Sequence, residues 1–179
     1  MQNYFAPNAS SMYVNHASVV VQQEKGQSFE NQYSQFTYRE MNGDVNELSA
    51  SGTDEEQPEE AVQWIASKNQ FFSAVLISDK GFTQAKLSSA TCNEGEALKA
   101  YAAEMQTKFD PKGLDATHLQ LFTGPNDFHL LKEHDRLAYG NQDIELERLV
   151  YFGWPLFRWI NRWIIMPLFD LLKGLGLSM

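Results

Sequence analysis

A single cysteine, Cys92, stands among 179 residues. No intrachain disulfide can form, so packing alone must hold the fold. Basic residues are scarce too: 14 Lys and Arg face 23 Asp and Glu, a formal net charge of −9. Phosphate binding needs clustered cations, and this balance excludes nucleic acid as a partner. Chemistry-bearing motifs are also missing: there is no Gly-x-Ser-x-Gly elbow, no phosphate loop and no cysteine with a convincing histidine partner. The start, Met1 to Asn8, has neither the basic nor the apolar region of a signal peptide. It predicts either a cytoplasmic protein or a piece of something longer.

Residues 149–177 hold three of the four tryptophans and only four charges. Arg158, Arg162, Asp170 and Lys173 interrupt this stretch, and Pro155 and Pro167 break or bend it. It therefore falls short of the roughly 20 unbroken apolar residues that a membrane span needs. On a helical projection Arg158, Asn161, Arg162 and Lys173 fall on one narrow side, while Phe157, Ile160, Ile164, Leu168, Leu171 and Leu175 face the other way. Two readings fit: an amphipathic helix lying in a bilayer interface, with Trp and Arg at the headgroups, or a C-terminal helix packed on the protein's own core.

Charge is divided unevenly. Residues 1–148 carry eleven basic and twenty-two acidic side chains, −11, and residues 149–179 carry three basic and one acidic, +2. A small cationic, apolar tail on an acidic body suits anionic lipid. The sequence thus predicts two parts, a 1–148 body and a 149–179 membrane-proximal segment, in a chain long enough for one ordinary core.

The body reads as mainly β. Residues 1–15 show no periodicity and predict a frayed end or an edge extension. His16–Gln23 and Ser28–Glu40 are rich in β-branched and aromatic residues around Gly26, predicting antiparallel strands. Residues 42–60 are acidic with almost no apolar side chains, and predict a solvated loop. Strands follow at 62–66, 71–77 and 82–87, the last two joined by a turn at 78–81. The 71–77 run is apolar on both faces and predicts a place in the middle of a sandwich. Asn93–Lys108 carries Leu98, Tyr101, Ala102 and Met105 at helical spacing, predicting a helix. A strand at 118–123 and a short helix from Asp127 to about His134 complete the body.

The four histidines, His16, His118, His129 and His134, do not make a metal motif. His129 and His134 lie five apart and diverge on a helix, whereas a helical pair of ligands needs a spacing of four. His118 beside Glu133 or Glu104 is the pair a sugar-active enzyme would use as acid and base. The acidic residues of 54–60 suit solvation better than a binding role. Gly124 before Pro125 predicts a turn with positive φ, and Gly153 before Trp154 predicts a bend or hinge into the tail.

Longer patterns carry a resemblance. Leu121–Lys132 runs Leu-Phe-Thr-Gly-Pro-Asn-Asp-Phe-His-Leu-Leu-Lys, followed by Leu146-Glu147-Arg148-Leu149-Val150-Tyr151-Phe152-Gly153-Trp154 and by Pro167-Leu168-Phe169. Upstream stands Trp64-Ile65-Ala66-Ser67-Lys68-Asn69-Gln70-Phe71-Phe72-Ser73-Ala74. In order and spacing, over about residues 60–177, these pieces resemble the YidC membrane protein insertases. The resemblance implies a non-catalytic periplasmic domain without cofactor or metal, on the periplasmic side of the cell inner membrane. It implies an antiparallel β-sandwich, part of a β-supersandwich related to the galactose mutarotase fold, with short helices and a C-terminal amphipathic helix. The first membrane helix, the first half of the sandwich and the five-helix core would lie outside this sequence.

Implied partners are the inner-membrane lipid surface, Sec translocon components such as SecDF, and nascent membrane proteins. The expected interface residues are Trp154, Phe157, Trp159, Trp163 and Phe169, buried among headgroups, with Arg158, Arg162 and Lys173 meeting lipid phosphates. Gly124, Pro125 and Gly153 are the expected hinge or turn positions. The alternative function is a carbohydrate-binding or mutarotase-like sandwich.

Overall fold

The computed structural model describes residues 8–23, 25–49, 51–92, 97–138, 143–150, 166–168 and 171, with the backbone alone at 136–138. By contact density the chain divides into two units, Met1–Leu149 and Val150–Met179. The described elements of the first are β1 (Ser11–Val21), α1 (Gln27–Tyr33), β2 (Gln35–Glu40), β3 (Val45–Glu47), β4 (Thr53–Glu56), β5 (Val62–Lys68), β6 (Phe72–Thr91), β7 (Ala97–Lys108), β8 (Leu119–Pro125), α2 (Phe128–Ala138) and a 3-10 helix, Leu146–Leu149.

All strand pairings are antiparallel, in one 8-stranded sheet ordered β1-β7-β6-β5-β2-β3, with β4 and β8 each paired to β6. The sheet folds over on itself. Phe36 of β2 and Tyr101 of β7 stack with ring centroids 5.0 Å apart, although β6 and β5 separate their strands in the sheet order. In a flat sheet they would be about 14 Å apart, at about 4.8 Å per strand. The result is a β-sandwich. One layer is β1, β7, the C-terminal half of β6 and β4; the other is β8, the N-terminal half of β6, β5, β2 and β3. Between them Phe36, Tyr38, Ile65, Leu87, Leu98, Tyr101, Ala103 and Met105 form the core.

β6 makes the fold-over possible. The sequence predicts a hairpin turn at 78–81, but the chain continues as one strand of 20 residues. Gly81 takes φ +73 and Gln84 φ +50, and the ladders shift register between Val62 and Trp64 and between Thr83 and Lys86. Bulges bend a strand and increase its twist, so one strand serves both layers. Only glycine suits position 81: a Cβ there would lie 3.2 Å from both Ala61 Cβ and Met41 Cγ, in a backbone region that side chains disfavour. The 71–77 run does occupy an interior place between β5 and β8, and Val75 and Ile77 are fully buried while Phe71 and Phe72 remain exposed.

Other expectations are corrected. The predicted helix at 93–108 is strand β7 from Ala97 onward. Tyr101, Ala103, Met105 and Thr107 are buried while Ala102 and Glu104 are exposed, which is the period of two of a strand. Residues 28–33, predicted as strand, belong to helix α1, where Glu30 accepts the Gln23 N–H (2.8 Å) and the Ser34 hydroxyl donates to the Glu30 carbonyl (2.8 Å). β1 begins at Ser11, ahead of the predicted His16, because it pairs along the length of β7. The acidic 42–60 segment is no simple loop, since it holds β3 and β4; β4 pairs Thr53–Glu56 with β6 through Ala90–Leu87, exposing Thr53 and Glu55 while Asp54 and Glu56 are half-buried.

Candidate functional site

The first unit ends in a segment, residues 143–149, that β5 and α2 clamp. Trp64 and Lys68 lie four apart on β5 and so point to one face of the sheet. Trp64 Nε1 donates to the Ile144 carbonyl at 2.8 Å, and Lys68 Nζ donates to the Leu149 carbonyl at 3.0 Å. Both side chains are buried, and burial lowers the Lys68 pKa against the opposing pull of Glu47. Ile144, Leu146 and Leu149 pack inward, together with Leu131 of α2.

From α2, the Asp135 carboxylate accepts the Leu146 N–H at 3.2 and 3.3 Å and shares a hydrogen bond with Glu147. Burial first, and then the Glu147 bond, pushes Asp135 up to about 7. Burial would raise Glu147 as well, but its bonds with Asp135 and with Lys132, 3.2 Å away, hold it below the ordinary carboxylate range. Of the two, Asp135 is thus the weaker acid. Outside this pair Glu145 meets Arg39 at 3.5 Å and Arg148 at 3.3 Å. The bonds from Trp64, Lys68 and Asp135 fix backbone just ahead of Val150, where the second unit begins.

Asp135, Asp143 and Glu147 bring carboxylate oxygens within 4.8 Å of one another, the one potential ligand cluster among the described residues. Within it Lys132 meets Glu147 at 3.2 Å, while Asp143 lies exposed to solvent. The histidines are dispersed. His16 stacks on Phe36 at 6.3 Å and His134 tilts against Phe122 at 4.9 Å, both lowered by burial. His129 meets Phe128 edge-on at 5.6 Å. His118 faces Asp79 of β6 at 3.2 Å, so the structure sets it against that carboxylate in place of Glu133 or Glu104.

Gly124 and Pro125 end β8, opposite Ser73 and Phe72. The positive φ expected of Gly124 is corrected: it lies in strand, and its reason is space, since a Cβ there would come within 2.7 Å of Phe122 Cζ. Asp127 caps α2 as its position predicts, accepting the Leu130 N–H at 2.9 Å. The expected interface residues Trp154, Phe157, Arg158, Trp159, Arg162, Trp163, Phe169 and Lys173, together with Gly153, lie outside the described residues. Leu168 and Leu171, both helical, are 50% and 61% exposed. Among the described residues no helix is long and apolar enough to cross a membrane.

Sequence reasoning missed Trp64, Lys68, Asp135 and Glu147 as the clamp. A signal was there: a tryptophan and a lysine on an otherwise apolar face of a strand each carry a donor that burial obliges to find an acceptor.

Residues 3–170 match the YidC periplasmic domain family. Similar relatives named membrane protein insertase YidC include those of Phocaeicola vulgatus, 43% identical over 180 residues covering 100% of this chain and 29% of the relative; Bacteroides fragilis, 44% identical over 158 residues covering 87% and 25%; and Porphyromonas gingivalis, 30% identical over 169 residues covering 93% and 27%. The chain thus spans less than a third of the length of these relatives. A match across almost the whole sequence, on a β-sandwich that ends in a clamped junction before an aromatic segment, shows that this chain belongs to the YidC periplasmic domain family.

Proposed function

We propose that this domain serves a membrane protein insertase as a non-catalytic periplasmic support, whose 149–179 segment rests on the outer leaflet of the inner membrane. One observation carries the reading. Leu168 and Leu171, each in helical backbone, leave 50% and 61% of their surface exposed, apolar surface of the kind a bilayer interface covers. The tail composition supports it: Trp154, Phe157, Trp159, Trp163 and Phe169 enter the headgroup boundary, and Arg158, Arg162 and Lys173 meet lipid phosphate. The clamp of Trp64, Lys68 and Asp135 on residues 144–149 holds the backbone from which that segment departs. Nascent membrane proteins are the clients, and Sec components such as SecDF dock the sandwich.

Vesicle flotation tests the lipid role. The intact chain floats with vesicles containing anionic lipid, and the double variant Leu168→Glu, Leu171→Glu stays behind by several-fold. Equal flotation of the two ends the proposal.

A further inference from the structure

The first unit ends in a strap, residues 143–149, pinned at two points. Trp64 Nε1 holds the Ile144 carbonyl at 2.8 Å and Lys68 Nζ holds the Leu149 carbonyl at 3.0 Å, which leaves the turn between them free to move. That turn is strained: Glu145 takes φ +53, a left-handed conformation uncommon outside glycine. Strain of this kind persists only where the surroundings over-determine it. Here Asp143 accepts the Glu145 N–H at 3.1 Å, and the Arg148 N–H closes on the Glu145 carbonyl at 3.0 Å. The Glu145 carboxylate meets Arg148 at 3.3 Å and Arg39 of β2 at 3.5 Å.

A pair of buried acids fastens the turn to α2. Asp135, 3% exposed, accepts the Leu146 N–H at 3.2 and 3.3 Å and shares a hydrogen bond with Glu147, itself 8% exposed. A bond between two carboxyls needs a proton on one of them. Loss of that proton leaves two like charges in a site that water hardly reaches. Lys132, 3.2 Å from Glu147, sets one positive charge against them, and Asp143 adds a third negative one within 4.8 Å. The other cations that face the strap are engaged: Arg39 and Arg148 by Glu145, and Lys68 by the Leu149 carbonyl. His134, next to Asp135 on α2, turns to Phe122 of β8.

We propose that the Asp135–Glu147 pair is a pH-sensitive latch, which holds the 145–148 turn on α2 while it keeps its proton and lets go when it loses it, loosening the backbone from which residues 150–179 depart. The sign follows from where each form of Asp135 titrates. On the latched turn burial and Glu147 push it up to about 7, whereas opening returns it to water and to about 3.9. Opening therefore becomes easier by about tenfold per pH unit between about 4 and 7, and little more above. Glu147 is held below its ordinary value, so its own titration acts at lower pH. Release of the strain at Glu145 favours the open turn. The latch works on the domain's own backbone, whether or not the segment beyond it meets lipid.

Amide exchange in the full chain tests this at Leu146 and Arg148, from pH 5 to pH 8, with rates corrected for the intrinsic effect of pH. Protection falls about tenfold per pH unit up to about pH 7 and then levels off. Low urea leaves it unchanged, because a local opening exposes little surface. Asp135→Asn keeps an acceptor for Leu146 and a donor for Glu147 but does not titrate; its profile is flat, which sets aside His134, present in both chains. Glu147→Gln removes the like charge and can donate to an ionised Asp135, so its protection levels off at a lower pH. A flat profile in the native chain overturns the latch. So does an equal slope in folded Asp135→Asn, or exchange at Leu146 that responds to urea as the β7 amides do. No vesicle enters this experiment, so it and the flotation test fail independently.

Discussion

At the scale of single residues, Asp135 and Glu147 show how burial turns two ordinary carboxyls into an acid and its conjugate base. Asp135, 3% exposed, is held up to about 7, whereas an unfolded Asp titrates at about 3.9. A carboxyl whose folded pKa is raised binds its proton more tightly in the folded chain. Its contribution to stability is therefore full below about pH 4 and is lost as pH rises to about 7. Asn at this position keeps the shape and the acceptor for Leu146 N–H, can donate to Glu147, and does not titrate. Urea unfolding should show Asp135→Asn gaining about 4 kcal/mol on the native chain between pH 4 and pH 7.5, with little further change above. A constant difference across that window would mean that the two carboxyls do not share a proton.

At the scale of elements, β7 and β6 show where local pattern misleads. Leu98, Tyr101, Ala102 and Met105 fit a helical stripe, yet only three of them are buried; Ala102 is exposed and Ala103, off the stripe, is 1% exposed. Small residues blur the pattern, because alanine is equally at home in either place and marks neither period. The two readings separate by substitution. Ala103→Lys should unfold the chain or cost upward of about 3 kcal/mol, for it buries a charge in the core. Ala102→Lys, facing the Glu55, Glu56 and Glu104 side of the sheet, should change stability by about 0.5 kcal/mol or less in thermal melts. In β6 the Ser-Asp-Lys-Gly sequence at 78–81 has the composition of a turn. It became a bulged strand because β5, β7 and β8 all pair with its flanks, and of these β8 comes from a distant stretch of the sequence.

At the scale of the whole molecule, the proposed lipid role makes the division of charge into an acidic body and a +2 tail the feature to test. Each basic residue near an anionic leaflet contributes about 1 kcal/mol and is screened within a Debye length. Flotation on anionic vesicles should therefore fall several-fold when salt rises from 0.1 to 0.5 M, and a remainder should persist through Trp, Phe and Leu, which salt does not screen. Complete loss in salt would leave no role for the apolar face, and no loss would leave none for Arg158, Arg162 and Lys173.

What the sequence determined by itself was set by local chemistry and by joint spacing. Alternation placed β2, β5 and β8, Asp127 announced the start of α2, and the ordered pieces from Trp64 to Phe169 carried the family resemblance. Composition alone distinguished the aromatic tail from the acidic body. Tertiary structure decided what depends on partners far along the chain: β7 as a strand, β6 as one strand through both layers, the packing of Phe122 against Gly124, and the clamp of Trp64 and Lys68 on carbonyls 80 and 81 residues away. The reason is physical. Propensity and periodicity report only a residue's near neighbours, whereas a buried donor must find its acceptor wherever the fold brings one within about 3 Å.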